Sequence, residues 1–167
     1  MILETDRLFL MPLDVHKFRL WICDIPALEK VLECKYEGND MYGIFLELVK
    51  KKFEKMSSDE VNYLFHTFWL IIIKNTRIII GSTDFKDVPN EHGEVEVGYG
   101  INSLFENKGY TAEAVTAMCG WALEQADISY VTAETEKGNI ASQRVLQKCG
   151  MVKTLETQSS YWWAIGK

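Results

Sequence analysis

The spacing of hydrophobic and polar positions changes several times along the chain, and each change marks an element. Glu4 to Leu13 alternates, with Leu8 and Leu10 on one face and Pro12 near its close, so an opening strand is expected. Asp14 can cap a short helix carrying Val15, Phe18, Trp21 and Ile22, which must end before Pro26. Leu28, Val31 and Leu32 continue at helical spacing in a second short helix. Met41, Phe45, Leu48, Val49, Phe53 and Met56 form one stripe of a third. The run Lys50-Lys51-Lys52 lies in that helix and reads as a solvated face.

Phe68 to Ile73, a turn at Lys74 to Arg77, and Ile78 to Gly81 read as a buried β-hairpin. Glu94 to Ile101 is a third central strand. Gly109 to Ala126 reads as a helix with Val115, Cys119, Ala122 and Ala126 on one stripe. Tyr130 to Glu134 is a strand, and Asn139 to Cys149 a helix stopped by Gly150, which suits a left-handed cap. Segments around Val152 and from Tyr161 to Ile165 finish as strands. This order predicts an α/β fold, a mixed sheet with helices on both faces.

The length of 167 residues suits one domain over residues 1–167. With 47% hydrophobic and 25% charged residues the chain can bury a core, which excludes a disordered linker or fibrous repeat. A net charge of −6 speaks against a nucleic-acid or acidic-membrane binder and favours a cationic partner such as an amine. The start, Met1 to Arg7, carries acids where a secretory signal needs a basic end and a long apolar run. The longest apolar run, Phe68 to Ile73, is too short to span a bilayer, so no membrane association is expected. Cys23, Cys34, Cys119 and Cys149 are scattered without a C-x-x-C pair and are expected as free, mostly buried thiols in a reducing cytoplasm. His16, His66 and His92 lack metal-ligand spacing, so no metal site is expected.

Candidate chemistry concentrates between Glu94 and Ala114. In the strand, Val95, Val97, Tyr99 and Ile101 face one way, while Glu94, Glu96, Gly98 and Gly100 face the other. Two glycines beside Glu96 leave backbone open to a ligand lying along the strand, or else mark a bulge or tight packing. Glu106-Asn107-Lys108-Gly109-Tyr110-Thr111 opens directly into the next helix. A glycine turn there aims free N–H groups and the helix dipole at one point, which suits phosphate or pyrophosphate, with Lys108 as an added cation. The bland alternative is a helix entry with a glycine for steric reasons. Asn139 is a good N-cap for the last helix, and Ser142 falls in the same first turn, so both polar groups could face one cleft.

Four stretches together resemble the GNAT superfamily of acyl-CoA-dependent N-acetyltransferases, especially its branch of ribosomal-protein N-terminal acetyltransferases. Leu3-Glu4-Thr5-Asp6-Arg7-Leu8 resembles that branch's L-E-T-E-R-L start, and Glu96-Val97-Gly98-Tyr99 its E-I-G-Y strand. Asn107 to Ala114 is similar to its G-K-G-Y-A-T-E-A loop and helix, and Asn139 to Gly150 to its N-x-x-S…K-x-G-F helix. The resemblance implies a sheet that splays open to admit the pantetheine arm of acetyl-CoA. It implies that the backbone of Asn107, Lys108, Gly109, Tyr110, Thr111 and Ala112 holds the coenzyme pyrophosphate. Tyr99, Gly100 and Ile101 would pair with pantetheine, and Asn139 would hydrogen-bond the same arm.

Departures from the family pattern shift the expected roles. Glu106 occupies the first place of the Q/R-x-x-G-x-G/A loop, so anion binding must rest on main-chain amides and Lys108. Leu146 stands where many members carry a tyrosine that protonates the leaving thiolate, which leaves Ser142 as the substitute acid. Glu96 is the candidate base, acting through a water; its other readings are a surface carboxylate or a fixed charge attracting the amine. Peptide N-terminus, polyamine, aminoglycoside and small amino metabolite all stay open as acceptors, and the oligomeric state is open, a homodimer included. A non-catalytic acyl-CoA-binding module of the same fold is the alternative function. A nucleotide-phosphate binder ranks lower, because G-x-x-x-x-G-K-[ST] is missing.

Overall fold

The computed structural model describes residues 1–167. Nine strands form one mixed sheet in the order β1-β2-β4-β5-β6-β7-β9-β8, with β3 paired to β5 off that path. The strands are β1 Leu3–Glu4, β2 Leu8–Pro12, β3 Lys35–Tyr36, β4 Phe68–Ile73, β5 Ile78–Phe85, β6 Glu94–Ile101, β7 Tyr130–Glu136, β8 Val152–Glu156 and β9 Ser160–Gly166. The helices are α1 Val15–Cys23, α2 Ile25–Leu32, α3 Gly43–Ser58, α4 Tyr63–His66, α5 Tyr110–Glu124 and α6 Ile140–Lys148. No helix is long and apolar enough to cross a membrane.

Strand alternation divides the core into two layers. Leu8, Leu10, Trp69, Ile71, Val95 and Val97 pack beneath α5 and α6. Phe68, Leu70, Ile72 and Ile79 point the other way, into an aromatic cluster with Phe18 and Trp21 of α1 and Val49 and Met56 of α3. Helix entry is set locally. Asp14 accepts a hydrogen bond from the Lys17 amide at 2.9 Å and caps α1. Asp24 ends α1 and caps α2 through the Ala27 amide, with Pro26 in the first turn where its missing N–H does no harm.

Four expectations are corrected. The opening strand is two strands folded into a hairpin, because Thr5 turns the chain: its hydroxyl accepts from the Leu8 amide at 3.0 Å and its amide donates to the Leu8 carbonyl. Gly81 does not end its strand, which runs on to Phe85. It lets β5 lie against β6, since a Cβ there would sit 2.2 Å from the Gly100 carbonyl oxygen. Helix α5 stops at Glu124, leaving Ala126 outside it and exposed.

The fourth correction is Lys52, which does not belong to a solvated face. Its side chain is 8% exposed, and its ammonium group lies 3.0 Å from Asp84 Oδ2, itself on a side chain 5% exposed. The ammonium also donates to the carbonyls of Phe85 and, at 3.4 Å, Phe65. Burial lowers its pKa, and the Asp84 charge works against that fall.

Candidate active site

The entry to α5 is an array of unfilled donors. Asn107 (φ +60°) and Gly109 (φ +82°) are both left-handed, so the chain curls just before the helix starts. The amides of Asn107, Lys108, Gly109, Tyr110, Thr111 and Ala112 donate to no acceptor in the chain; the first bonded one is Glu113, to the Gly109 carbonyl at 3.1 Å. Curled backbone with free amides at the positive end of a helix dipole is an anion-binding arrangement. Lys108 turns its ammonium back to the Leu104 carbonyl at 3.0 Å, so the array consists of main-chain groups.

This curl is tied to the other end of the chain. Arg7 Nε meets Glu113 Oε2 at 2.7 Å, the Arg7 amide donates to Glu113 Oε1 at 2.9 Å, and the Thr5 hydroxyl donates to the same oxygen at 2.6 Å. Arg7 Nη1 also donates to the Lys108 carbonyl at 3.0 Å, and its guanidinium lies over the Tyr110 ring. Partial burial raises the Glu113 pKa, but the bonds from Thr5 and Arg7 outweigh it and hold the carboxyl below its ordinary value. A depressed carboxylate pKa stabilises the fold above its unfolded value and stops doing so as pH falls through the folded one. Glu113→Gln is therefore expected to lose about 1 kcal/mol at neutral pH, since Arg7 is half exposed and screened. Unfolding titrations should show that deficit shrinking below pH ~4.3, where the unfolded carboxyl protonates.

From the curl a groove follows β6. Strands β6 and β7 run parallel only from Glu94–Tyr130 to Glu96–Thr132 and then separate, while β6 stays paired with β5 to Ile101. The Lys86 amide bonds the Glu96 carbonyl and the Asn102 amide bonds the Ile80 carbonyl, so even-numbered residues of β6 spend their backbone on β5. The odd-numbered backbone groups of Tyr99 and Ile101 face the opening. Gly100, between them, is paired with Ser82 and contributes clearance instead.

Across the groove mouth, the Tyr99 and Ser142 hydroxyls share a 2.6 Å hydrogen bond. Burial pushes Tyr99 up to about 12, so its hydroxyl stays neutral. Asn139 caps α6 by accepting from the Ser142 amide at 3.0 Å. That bond fixes the first turn of the helix and with it the Ser142 side chain. One turn on, Leu146 is fully buried in the core under α5.

The opposite face of β6 floors a cavity of about 820 Å³ closed by the α1–α3 side of the molecule. Gly100 leaves its floor low, and Trp21, Tyr36, Phe45 and Phe68 form an apolar wall. Asp84 lines it from β5. Glu96 shares this face but is not part of the cavity wall. It is half-buried, and burial raises its pKa, with Lys86 opposing and Glu134 and Asp84 reinforcing the rise. Two features lay beyond local sequence reading. The Arg7–Glu113 tie joins residues 106 apart, although both lie in the quoted motifs. Lys52 does leave a signal, three residues after Val49 and four before Met56, on the buried stripe of α3.

The chain is similar to known proteins in sequence and in fold. Residues 7–152 match the family model of the acetyltransferase (GNAT) domain. An uncharacterised N-acetyltransferase of Bacillus subtilis, YjdG, is 31% identical over 150 residues, covering 84% of this chain and 89% of that protein. Ribosomal-protein-S5-alanine acetyltransferase from Vibrio fischeri has the same fold, with a TM-score of 0.73 at 17% identity over 99% of this chain and 96% of that one. RimL, a ribosomal L7/L12 alpha-N-protein acetyltransferase solved with coenzyme A, superposes with a TM-score of 0.68 at 15% identity, covering 99% and 98% of the two chains. By its family match and its Bacillus subtilis relative, this chain belongs to the GNAT family of N-acetyltransferases.

Proposed function

We propose that residues 1–167 act as one domain that moves an acetyl group from acetyl-CoA to a primary amine by direct attack. The observation that carries this reading is the row of six unpartnered amides at Asn107–Ala112, which leads into the open edge of β6. The array suits a diphosphate, and the backbone of Tyr99 and Ile101 suits an amide-bearing arm with Gly100 giving room. The free Nδ2 of Asn139 would reach the same arm. Acetyl-CoA supplies an activated acetyl group on a thiol whose pKa is about 8.5, like that of cysteine.

The chain's own residues then divide the work. Glu96 takes a proton from the incoming ammonium group through a water, helped by burial that raises its carboxyl above the ordinary value and so makes it a stronger base. An outward amide of β6 polarises the carbonyl as negative charge develops on its oxygen. Tyr99 holds Ser142 so that the serine hydroxyl donates to the departing sulfur. A thiolate is already a tolerable leaving group, so this donation is secondary to positioning, which can supply roughly 7–11 kcal/mol. Ser142→Ala is accordingly expected to lower kcat about a hundredfold or less and to leave coenzyme affinity unchanged. Complete loss in a folded, coenzyme-binding variant would reverse that ranking.

The test is thiol release from acetyl-CoA against a panel of amines, with mass detection of the acetylated product. Acceptor-dependent release supports transfer. The buried Leu146 in place of a tyrosine favours a second reading, a non-catalytic acyl-CoA-binding module. Tight coenzyme binding without release under any acceptor would establish that reading instead.

A further inference from the structure

The curl before α5 takes its shape at Gly109, but a glycine does not hold a shape. Without a Cβ, residue 109 adopts either sign of φ at little cost, so its value of +82° must be selected from outside. Asn107, at φ +60°, tolerates the left-handed region without enforcing it. Helix α5 has no side-chain cap at its entry, and the Lys108 ammonium is spent on Leu104 of the same loop. One hydrogen bond reaches residues 107–109 from outside the loop and its helix. It runs from Arg7 Nη1 to the Lys108 carbonyl, at 3.0 Å.

Arg7 is itself fixed at both ends. Its amide donates to Glu113 Oε1 at 2.9 Å, and its carbonyl accepts from the Lys74 amide at 2.9 Å, so its backbone is pinned at the turn between β1 and β2. Its guanidinium is gripped by Glu113 Oε2 at 2.7 Å and lies over the Tyr110 ring. A donor held this firmly dictates the direction of the carbonyl it meets.

We propose that Arg7 is a positioning residue of the coenzyme site, setting the Lys108–Gly109 peptide so that the Gly109 amide meets the diphosphate. The proposal rests on the coenzyme reading above. The peptide is trans, and in a planar trans peptide the N–H points opposite to the C=O. Turning the Lys108 carbonyl toward Arg7 therefore turns the Gly109 N–H away from it, where it donates to nothing in the chain. The flipped peptide would present a carbonyl oxygen in place of that donor and repel an anion. Arg7 thus acts through the peptide, without touching the ligand.

The test compares Arg7→Met, Arg7→Lys and Glu113→Gln with the unaltered chain. Calorimetry with coenzyme A and with pantetheine is run beside urea unfolding of each protein. Arg7→Met is expected to bind coenzyme A about tenfold more weakly, with pantetheine affinity unchanged. Arg7→Lys keeps a cation for Glu113, but one ammonium does not reproduce the fork that also holds the carbonyl. Its stability should stay near that of the unaltered chain while its coenzyme A binding falls as in Arg7→Met. Glu113→Gln gives up the same ion pair yet keeps the Arg7 donor, so its coenzyme A affinity should fall less than in either Arg7 variant. Full coenzyme A affinity in either Arg7 variant overturns the positioning role and leaves the coenzyme reading standing. So does an equal loss for pantetheine, or a loss in Glu113→Gln as large as in Arg7→Met. Failure of the unaltered, folded chain to bind coenzyme A overturns the coenzyme reading, and the positioning role with it.

Discussion

Removing the ammonium group of Lys52 is expected to destabilise the fold by about 3–5 kcal/mol. Lys52→Ala leaves the Asp84 carboxylate buried with no countercharge, and two carbonyls, of Phe65 and Phe85, lose their donor. Taking a charge's only partner away is far more damaging than taking both charges, because the remaining ion keeps its desolvation penalty. The double variant Lys52→Met/Asp84→Leu should therefore recover most of the loss. Domains of ordinary stability hold only about 5–15 kcal/mol, so the single variant forfeits a large share. Urea unfolding of the three proteins checks this. A loss below about 1 kcal/mol for Lys52→Ala would mean that the pair is not buried in solution.

The second large effect falls on the coenzyme loop. Gly109→Val should weaken coenzyme A binding about ten- to a hundredfold in a protein that still folds. A β-branched residue resists φ +82°, and its Cβ would sit 3.2 Å from Arg7 Nη2. Either strain turns one or two amides away from a bound anion. Hydrogen bonds to charged groups are worth about 1.5–3 kcal/mol each, which sets the range. Gly120 gives the control within the same helix. It is exposed, with open space where a Cβ would go, so Gly120→Ala should leave binding intact and stabilise α5 by roughly 0.5–1 kcal/mol. Calorimetry on both variants decides whether the loss follows loop geometry or loss of glycine in general.

Elements with a local cause were legible in the sequence. Strand β6 runs over the expected residues, with Val95 and Val97 in the core beneath α5 and the glycines on the opposite face, because period-two alternation is written into adjacent positions. The Asn139 cap and the Gly150 stop of α6 are likewise local, with Gly150 at φ +80°. Features set by distant partners were not. Lys52 reads as a surface lysine until β5 places Asp84 beside it, 32 positions later. Asp84 lies in a strand because Gly81 lets β5 run on to Phe85. The two-residue β3 has no periodicity to detect, and exists because β5 offers it a parallel edge. The motifs at Arg7 and at Glu113 both stood out in the sequence, but only the fold shows that one holds the other.

Calorimetric titration with coenzyme A and, separately, with pantetheine, which lacks the diphosphate, asks most directly whether the Asn107–Ala112 amides grip that group. Saturable micromolar binding of coenzyme A is expected, with pantetheine at least about a hundredfold weaker. Equal affinities, or no heat from coenzyme A at millimolar concentration on folded protein, would contradict it.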